Sequence, residues 1–195
     1  MDLCFIFINT KGETFNMTTL IACVNQDWAI GLNDRLLYHI PDDMKFFKNT
    51  TTNNIVVMGR NTLQTLPRPE YGLPNRINII MSHNSDFKTT ENYYVAHNID
   101  ELKTLVHTIQ QSIDVDVYVI GGANIYSLLL DFCDKALITK VYDTYPAANK
   151  FCPNLDKAPE WEKISESDIH NYEDKKIHKI FQYKFITYEK TNQKN

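Results

Sequence analysis

The sequence predicts a single α/β domain built around a mostly parallel sheet. Short continuous apolar runs recur along the chain and read as strands buried on both faces. Amphipathic stretches of helical length separate them, and glycines stand where several runs give way to a helix. A chain of 195 residues with 43% apolar and 23% charged content suits one globular domain with a full core. Its formal net charge of −4 supplies no basic footprint for nucleic acid, which requires clustered Lys and Arg.

The elements follow in order. Residues 1–16 hold one apolar run, 3–8, that lacks a basic flank, is too short for a signal segment, and is followed by Lys11, Gly12 and Glu13. They are expected to be an extension of unknown role. Residues 18–24 form the first buried strand. A helix is expected over 41–49, with Pro41 at its first position, Asp42 and Asp43 in its first turn, and Met44 and Phe47 as apolar positions. The runs 55–58, 77–81, 115–120 and 135–141 repeat the strand pattern, and 99–111 and 123–131 read as helices. Strands alternating with helices require right-handed crossovers. Beyond 141 the pattern changes: 161–167 and 177–189 read as two strands around the polar stretch 170–176, a long hairpin at the sheet edge. Residues 190–195 are expected to fray. No repeat or linker divides the chain, so the domain is placed at 17–190 with a disordered tail at 191–195.

Cys4, Cys23, Cys133 and Cys152 form no C-x-x-C pair and mostly stand among apolar neighbours, as free thiols of a reducing cytoplasm do. The His and Cys residues show no metal-ligand spacing, and no apolar run reaches the length of a membrane span.

Three segments could carry chemistry. In the first, Ile30 and Gly31 lead through Leu36, Leu37 and Tyr38 into the helix bearing Asp42 and Asp43. An acidic residue in a first turn complements the helix dipole whether or not it has another role. Asp43 and Phe47, however, are four apart and share a helix face, so a carboxylate and an aromatic ring line one side of a cleft. Apolar walls disfavour the charged carboxylate and raise its pKa, which suits a protonatable heterocycle. In the second segment a buried strand ends at Gly59, and Arg60 and Thr62 open a helix: backbone N–H groups, a guanidinium and a hydroxyl form an anion site. The third, Ile120-Gly121-Gly122-Ala123-Asn124-Ile125-Tyr126, is again strand, glycines and helix, so a cofactor can lie against bare backbone. It is not the G-x-G-x-x-G fingerprint.

Taken together, Ile30-Gly31, Ile40-Pro41-x-Asp43-x-x-x-Phe47, Met58-Gly59-Arg60-x-Thr62 and Ile120-Gly121-Gly122-x-x-Ile125-Tyr126 make the chain resemble the dihydrofolate reductase family from about residue 18 to 189. The resemblance implies a sheet of about eight strands with an antiparallel C-terminal strand and helices on both faces. It implies NADPH as cofactor and dihydrofolate as substrate. It places Asp43 on the pterin amino group and ring NH, with Ile21, Cys23, Leu36, Phe47 and Leu66 as apolar walls. It also places Arg76 on the glutamate α-carboxylate of folate and the Thr139 hydroxyl on the pocket acid. Around the cofactor it places Ile30, Gly31, Gly59, Arg60, Asn61, Thr62, Ser82, His83 and the run Gly121, Gly122, Ala123, Asn124 and Ile125. The carbonyls of Cys23 and Ile120 would meet the nicotinamide or pterin, with Tyr126 beside them, and the Gly121–Gly122 bond is cis in this family.

The same resemblance implies hydride transfer to C6 with N5 protonated through water, Asp43 tuning the ring from its other side. Antifolate inhibitors would occupy the same pocket, and a monomeric cytoplasmic enzyme is expected, with no nucleic-acid or membrane partner. Two departures stand out. Leu37-Tyr38 replaces the Pro-Trp of many relatives, although the Tyr38 hydroxyl can still donate a hydrogen bond. Residues 67–71 and 143–150 have no residue-level match. Two other functions are compatible with the architecture: the pyrimidine reductase of riboflavin synthesis, against which Asp43, Phe47 and Arg76 speak, and a non-catalytic pterin- or nucleotide-binding protein.

Overall fold

The computed structural model describes residues 18–191; the expected extension 1–16 and most of the expected tail lie outside them. The strand β1 (Thr18–Val24) leads into a short pair, β2 (Ala29–Leu32) and β3 (Arg35–Leu36), and then into α1 (Pro41–Thr51). Next come β4 (Ile55–Gly59), α2 (Arg60–Gln64), β5 (Ile77–Met81), β6 (Tyr94–Ala96) and α3 (Ile99–Gln110). The strand β7 (Val117–Gly121), helix α4 (Ala123–Leu129) with a 3₁₀ turn at Leu130–Phe132, and β8 (Lys135–Val141) follow. The chain ends through β9 (Lys150–Phe151), a 3₁₀ turn at Leu155–Lys157, β10 (Trp161–Glu166), β11 (His170–Asp174) and β12 (Lys179–Lys190).

Eight strands lie in the order β10-β12-β8-β1-β7-β4-β5-β6, and β11 pairs with β12 as a ninth. From β8 to β6 every pairing is parallel, whereas β12 runs antiparallel to β8, β10 and β11. The chain moves one way across the sheet from β1 to β6, then returns to insert β7 beside β1. Right-handed crossovers therefore place α1 and α2 on one face and α3 and α4 on the other.

The core divides accordingly, because successive strand side chains alternate between faces. Ile21, Val56, Met58, Ile80 and Tyr118 pack with Phe46 and Phe47 of α1 and Leu63 of α2. Leu20, Ala22, Ile55, Val57 and Ile79 pack with Leu102 and Val106 of α3 and Ile125 and Leu129 of α4. Each fully buried aliphatic side chain contributes about 1.5 to 3 kcal/mol. Two-sided burial of this kind explains why these strands appear in sequence as continuous apolar runs.

Several expectations need correction. The polar stretch 170–176 contains a strand, β11, and the turn falls after Asp174, with His178 at φ 51. Its residues stay mostly polar because the outer hairpin is largely exposed; backbone pairing holds it, helped by Tyr172 against the cluster around Phe181 and by the His170 ring stacked on Tyr183 at 5.3 Å. Lys190 pairs with Trp161 and the Thr191 N–H donates to the Glu160 carbonyl at 2.8 Å, so neither frays. Met44 is 46% exposed, and Phe46 and Phe47 pack α1 in its place. The helix expected over 123–131 stops at Leu129, and β7 begins two residues later than expected. Four short strands, β2, β3, β6 and β9, carried no periodic signal.

Candidate active site

A cleft of about 710 Å³ opens at the carboxyl ends of β1, β4, β5 and β7. It opens there because the connections leaving neighbouring strands β1 and β7 run to opposite faces, which leaves a crevice between them.

At one end stands Asp43, the third residue of α1. The helix start is fixed by Pro41, and no side chain caps it. Burial raises the Asp43 pKa, and a hydrogen bond from the buried Thr139 hydroxyl on β8 pulls it part of the way back. Phe47, one turn later, lines the cleft beside it, with Ile21 and Cys23 from β1 and Ile120 from β7. Burial pushes the Cys23 thiol well above its ordinary pKa, and the Asp43 charge adds to this, so Cys23 acts as a neutral wall. The Tyr126 hydroxyl donates to the Ile21 carbonyl at 2.7 Å, which ties α4 to β1 beneath the cleft.

At the other end two strand-to-helix turns face each other. A Cβ on Gly59 would stand 3.0 Å from Ile125 Cγ1, and one on Gly122 would stand 3.2 Å from Thr62 Oγ1. Bare backbone at both positions leaves a cradle edged by the starts of α2 and α4. Arg60, Asn61, Thr62, Ala123, Asn124 and Ile125 line it, with Ser82 and His83 after β5. Among the described residues the Arg60 guanidinium has no hydrogen-bond or ion-pair partner and is free to meet an anion. These features fit a dinucleotide with an added phosphate.

The rim over the middle is a small three-stranded sheet, β3-β2-β9. It brings Ile30, Gly31 and Leu36 to the cleft, and Leu36 is 58% exposed. Trp28, at φ 63, anchors the start of this rim: its indole N–H donates to Asp156 at 3.0 Å, and Lys140 Nζ lies 4.2 Å from its ring centroid.

Four residues expected at the site do not line the cleft. Thr139 stands behind Asp43. Gly121 lies under the wall, where its φ of 97 and the close Tyr126 ring exclude a side chain; the Gly121–Gly122 bond is cis, as the resemblance implied. Leu66 packs with Phe47 in the core layer beneath. The Arg76 guanidinium bonds Thr51 Oγ1 and the Lys48 carbonyl, both at 3.2 Å, and so closes the end of α1. Sequence reasoning missed Thr65, Met81, Asn84, His97, Leu128 and Lys150, all of which line the cleft. The His97 ring bonds the Ser82 carbonyl at 2.8 Å through Nδ1, a contact across 15 residues that no local pattern announces. Among the described residues no cluster of three or more His, Cys, Asp or Glu could hold a metal ion, and no helix is long and apolar enough to cross a membrane.

Fold and cleft together have the form of an α/β dinucleotide-dependent enzyme: a glycine-cleared cradle at the ends of a parallel sheet, and beside it an apolar pocket that holds the Asp43 carboxylate. The family model described as dihydrofolate reductase matches residues 17–190, and the chain belongs to the dihydrofolate reductase family. It is similar to the dihydrofolate reductase of Bacillus subtilis, 28% identical over 183 residues, covering 90% of this chain and 96% of that protein. The Staphylococcus haemolyticus dihydrofolate reductase is 29% identical over 156 residues, covering 78% and 85%. Among solved structures, the Enterococcus faecalis dihydrofolate reductase complexed with NADP(H) and RAB-propyl aligns with a TM-score of 0.74 and 26% identity. That alignment covers 90% of this chain and 97% of the other.

Proposed function

We infer that this chain reduces 7,8-dihydrofolate to 5,6,7,8-tetrahydrofolate with NADPH, so supporting one-carbon metabolism. The observation that carries the reading is the single half-buried carboxylate, Asp43, set among apolar walls and facing a cradle cleared by Gly59 and Gly122. NADPH supplies the hydride that goes to C6 of the substrate, while a solvent proton goes to N5. The protein's part is alignment and electrostatics. Asp43, held by Thr139, takes the pterin amino group and ring NH, and its raised pKa favours sharing a proton with the heterocycle. Ile21, Cys23, Phe47 and Ile120 exclude water from the ring faces. Tyr38, buried on the cleft wall, meets the water that carries the proton to N5. Arg60, Ser82 and His83 take the 2′-phosphate of the cofactor. Arg76 takes the folate α-carboxylate from the end of α1, where its position outside the cleft suits a group that projects from the mouth.

The same cleft receives antifolate inhibitors, and the protein works as a monomer in the cytoplasm; the unpaired thiols of Cys23, Cys133 and Cys152 support that compartment. Purified protein mixed with NADPH and dihydrofolate should consume NADPH in step with tetrahydrofolate formation. Binding of both ligands without turnover would leave only a binding protein.

A further inference from the structure

Tyr38 occupies the position at which the family resemblance expects tryptophan, and its surroundings are particular to this chain. The ring is 6% exposed and meets Phe181 edge-on at 5.2 Å. Its hydroxyl donates to Asp143 Oδ2 at 3.3 Å, and Asp143 Oδ1 accepts from Lys179 Nζ at 2.8 Å. The Asp143 backbone is fixed as well: its carbonyl accepts from the Gln26 N–H at 3.2 Å and its own N–H donates to Val141 at 2.9 Å. Lys179 Nζ lies 5.0 Å from the centroid of the same Phe181 ring. A line of polar groups therefore runs from the outer hairpin strand β12 to the wall of the cleft.

The neighbours of this hydroxyl set its polarity. Asn25 is fully buried, and its Oδ1 accepts from the Asp27 and Ala29 N–H groups at 2.9 and 2.8 Å. That settles the orientation of the amide and leaves Nδ2 on the other side. Nδ2 has no full hydrogen bond among the described residues and approaches the Tyr38 oxygen. An amide nitrogen can only donate, and an ionised carboxylate can only accept. Burial, then the charge of Asp143 and its hydrogen bond, hold the phenol well above its ordinary pKa, so its one proton stays in place and points to Asp143. A hydroxyl bond of 3.3 Å is long and weak. It nonetheless decides the orientation, because Asp143 is the hydroxyl's one acceptor among the described residues. What remains for the cleft is a lone pair.

We propose that Asp143, braced by Lys179, is a positioning residue for the reduction: it fixes the Tyr38 hydroxyl so that this oxygen meets the cleft as a hydrogen-bond acceptor. A water that donates one hydrogen to Tyr38 is thereby turned so that its other hydrogen faces the ring nitrogen being protonated. An indole at this position could only donate, so this chain orients that water with the opposite sense. The inference rests on the role given to Tyr38 under Proposed function.

The test is single-turnover reduction of dihydrofolate by the full chain saturated with NADPH, alongside calorimetric titration of dihydrofolate binding. Asp143→Ala should slow reduction about five-fold, the scale of one modest hydrogen bond, with substrate affinity held within about two-fold. In a Tyr38→Phe background Asp143→Ala should cause no further loss. If Asp143→Ala does not fold, Asp143→Ser, whose hydroxyl is too short to reach, carries the same expectation. The proposal falls if Asp143→Ala matches the unmutated rate, or if the loss persists without the Tyr38 hydroxyl. A Tyr38→Phe protein at full rate removes the role of Tyr38 itself, and with it this inference. A slow Tyr38→Phe beside a fast Asp143→Ala refutes the inference alone.

Discussion

Gly121→Ala tests how closely the floor of the cleft is packed. A Cβ there would stand 2.7 Å from Tyr126 Cε2, 2.8 Å from Cζ and 3.1 Å from the hydroxyl oxygen. Carbon atoms pack at about 3.5 to 4.0 Å, so the ring must retreat by about 1 Å. Tyr126 is 5% exposed and has no solvent to retreat into, and the movement pulls its hydroxyl from the Ile21 carbonyl, 2.7 Å away. Overpacking of this kind costs about 1 to 3 kcal/mol. The lost hydrogen bond adds about 1 kcal/mol. A side chain at φ 97 adds about another 1 to 2 kcal/mol. We expect a loss near 4 kcal/mol and, for a domain of this size, a fall in Tm of about 10 °C. Urea unfolding followed by circular dichroism measures it. Tyr126→Phe alone should cost about 1 kcal/mol, and the two changes together should cost less than their separate effects, because the hydrogen bond is lost only once. A destabilisation below about 1 kcal/mol for Gly121→Ala would refute this account of the contact.

Other consequences are accessible to assay. Asp43→Asn should lower dihydrofolate turnover by about a hundred-fold or more at neutral pH while sparing NADPH affinity. Because burial raises the folded-state pKa of this acid, its charge opposes folding as pH rises through that value; the variant should be at least as stable as the unmutated protein at pH 7, with the difference closing in acid. Arg60→Ala should cut the preference for NADPH over NADH by about ten-fold without changing the KM for dihydrofolate; steady-state kinetics with both cofactors decide it. Arg76→Leu should raise the KM for dihydrofolate and, through its lost bonds to Thr51 and Lys48, lower the unfolding midpoint by about 1 kcal/mol equivalent. For Asp156, burial would raise the pKa, but hydrogen bonds from Tyr188 and Trp28 and the Lys140 charge outweigh it and hold the carboxyl low. Its contribution is therefore present above the usual carboxylate range, about 3.9, and is lost as pH falls below it. Asp156→Asn should be less stable than the unmutated protein at pH 7 and indistinguishable at pH about 2 to 3 in a pH series of thermal melts.

The five longer parallel strands were legible because they are buried on both faces, and nothing polar interrupts a run such as Ile55–Gly59. The rim was not, for a reason of scale. A two-residue strand such as Lys150–Phe151 has no period to detect, and its partner Ala29 lies more than a hundred positions away. The outer strand His170–Asp174 was hidden by its exposure, since a strand that packs only Tyr172 and the His170 ring leaves too little apolar signature. Within the cleft, the spacing of Asp43 and Phe47 and the two glycine turns brought most of the expected lining together. Residues arriving from β9 or from beyond β6, such as Lys150 and His97, depend on tertiary pairing that the local sequence does not encode. Asp143, which sets the polarity of Tyr38, lay in the stretch where resemblance offered no match.

The central position of β1 also dictates an order of assembly. Its partners are the run from Val117 to Val119 on one side and the run from Lys135 to Lys140 on the other. During synthesis the strand leaves the ribosome about a hundred residues before either neighbour, with both hydrogen-bonding edges and both apolar faces unmatched. Closing those large loops comes late and slowly, so Ile21 and Cys23 find their places only when most of the chain is available. Nascent chains released before Val117 should depend on chaperones, because the apolar strand β1 has no partner to receive it.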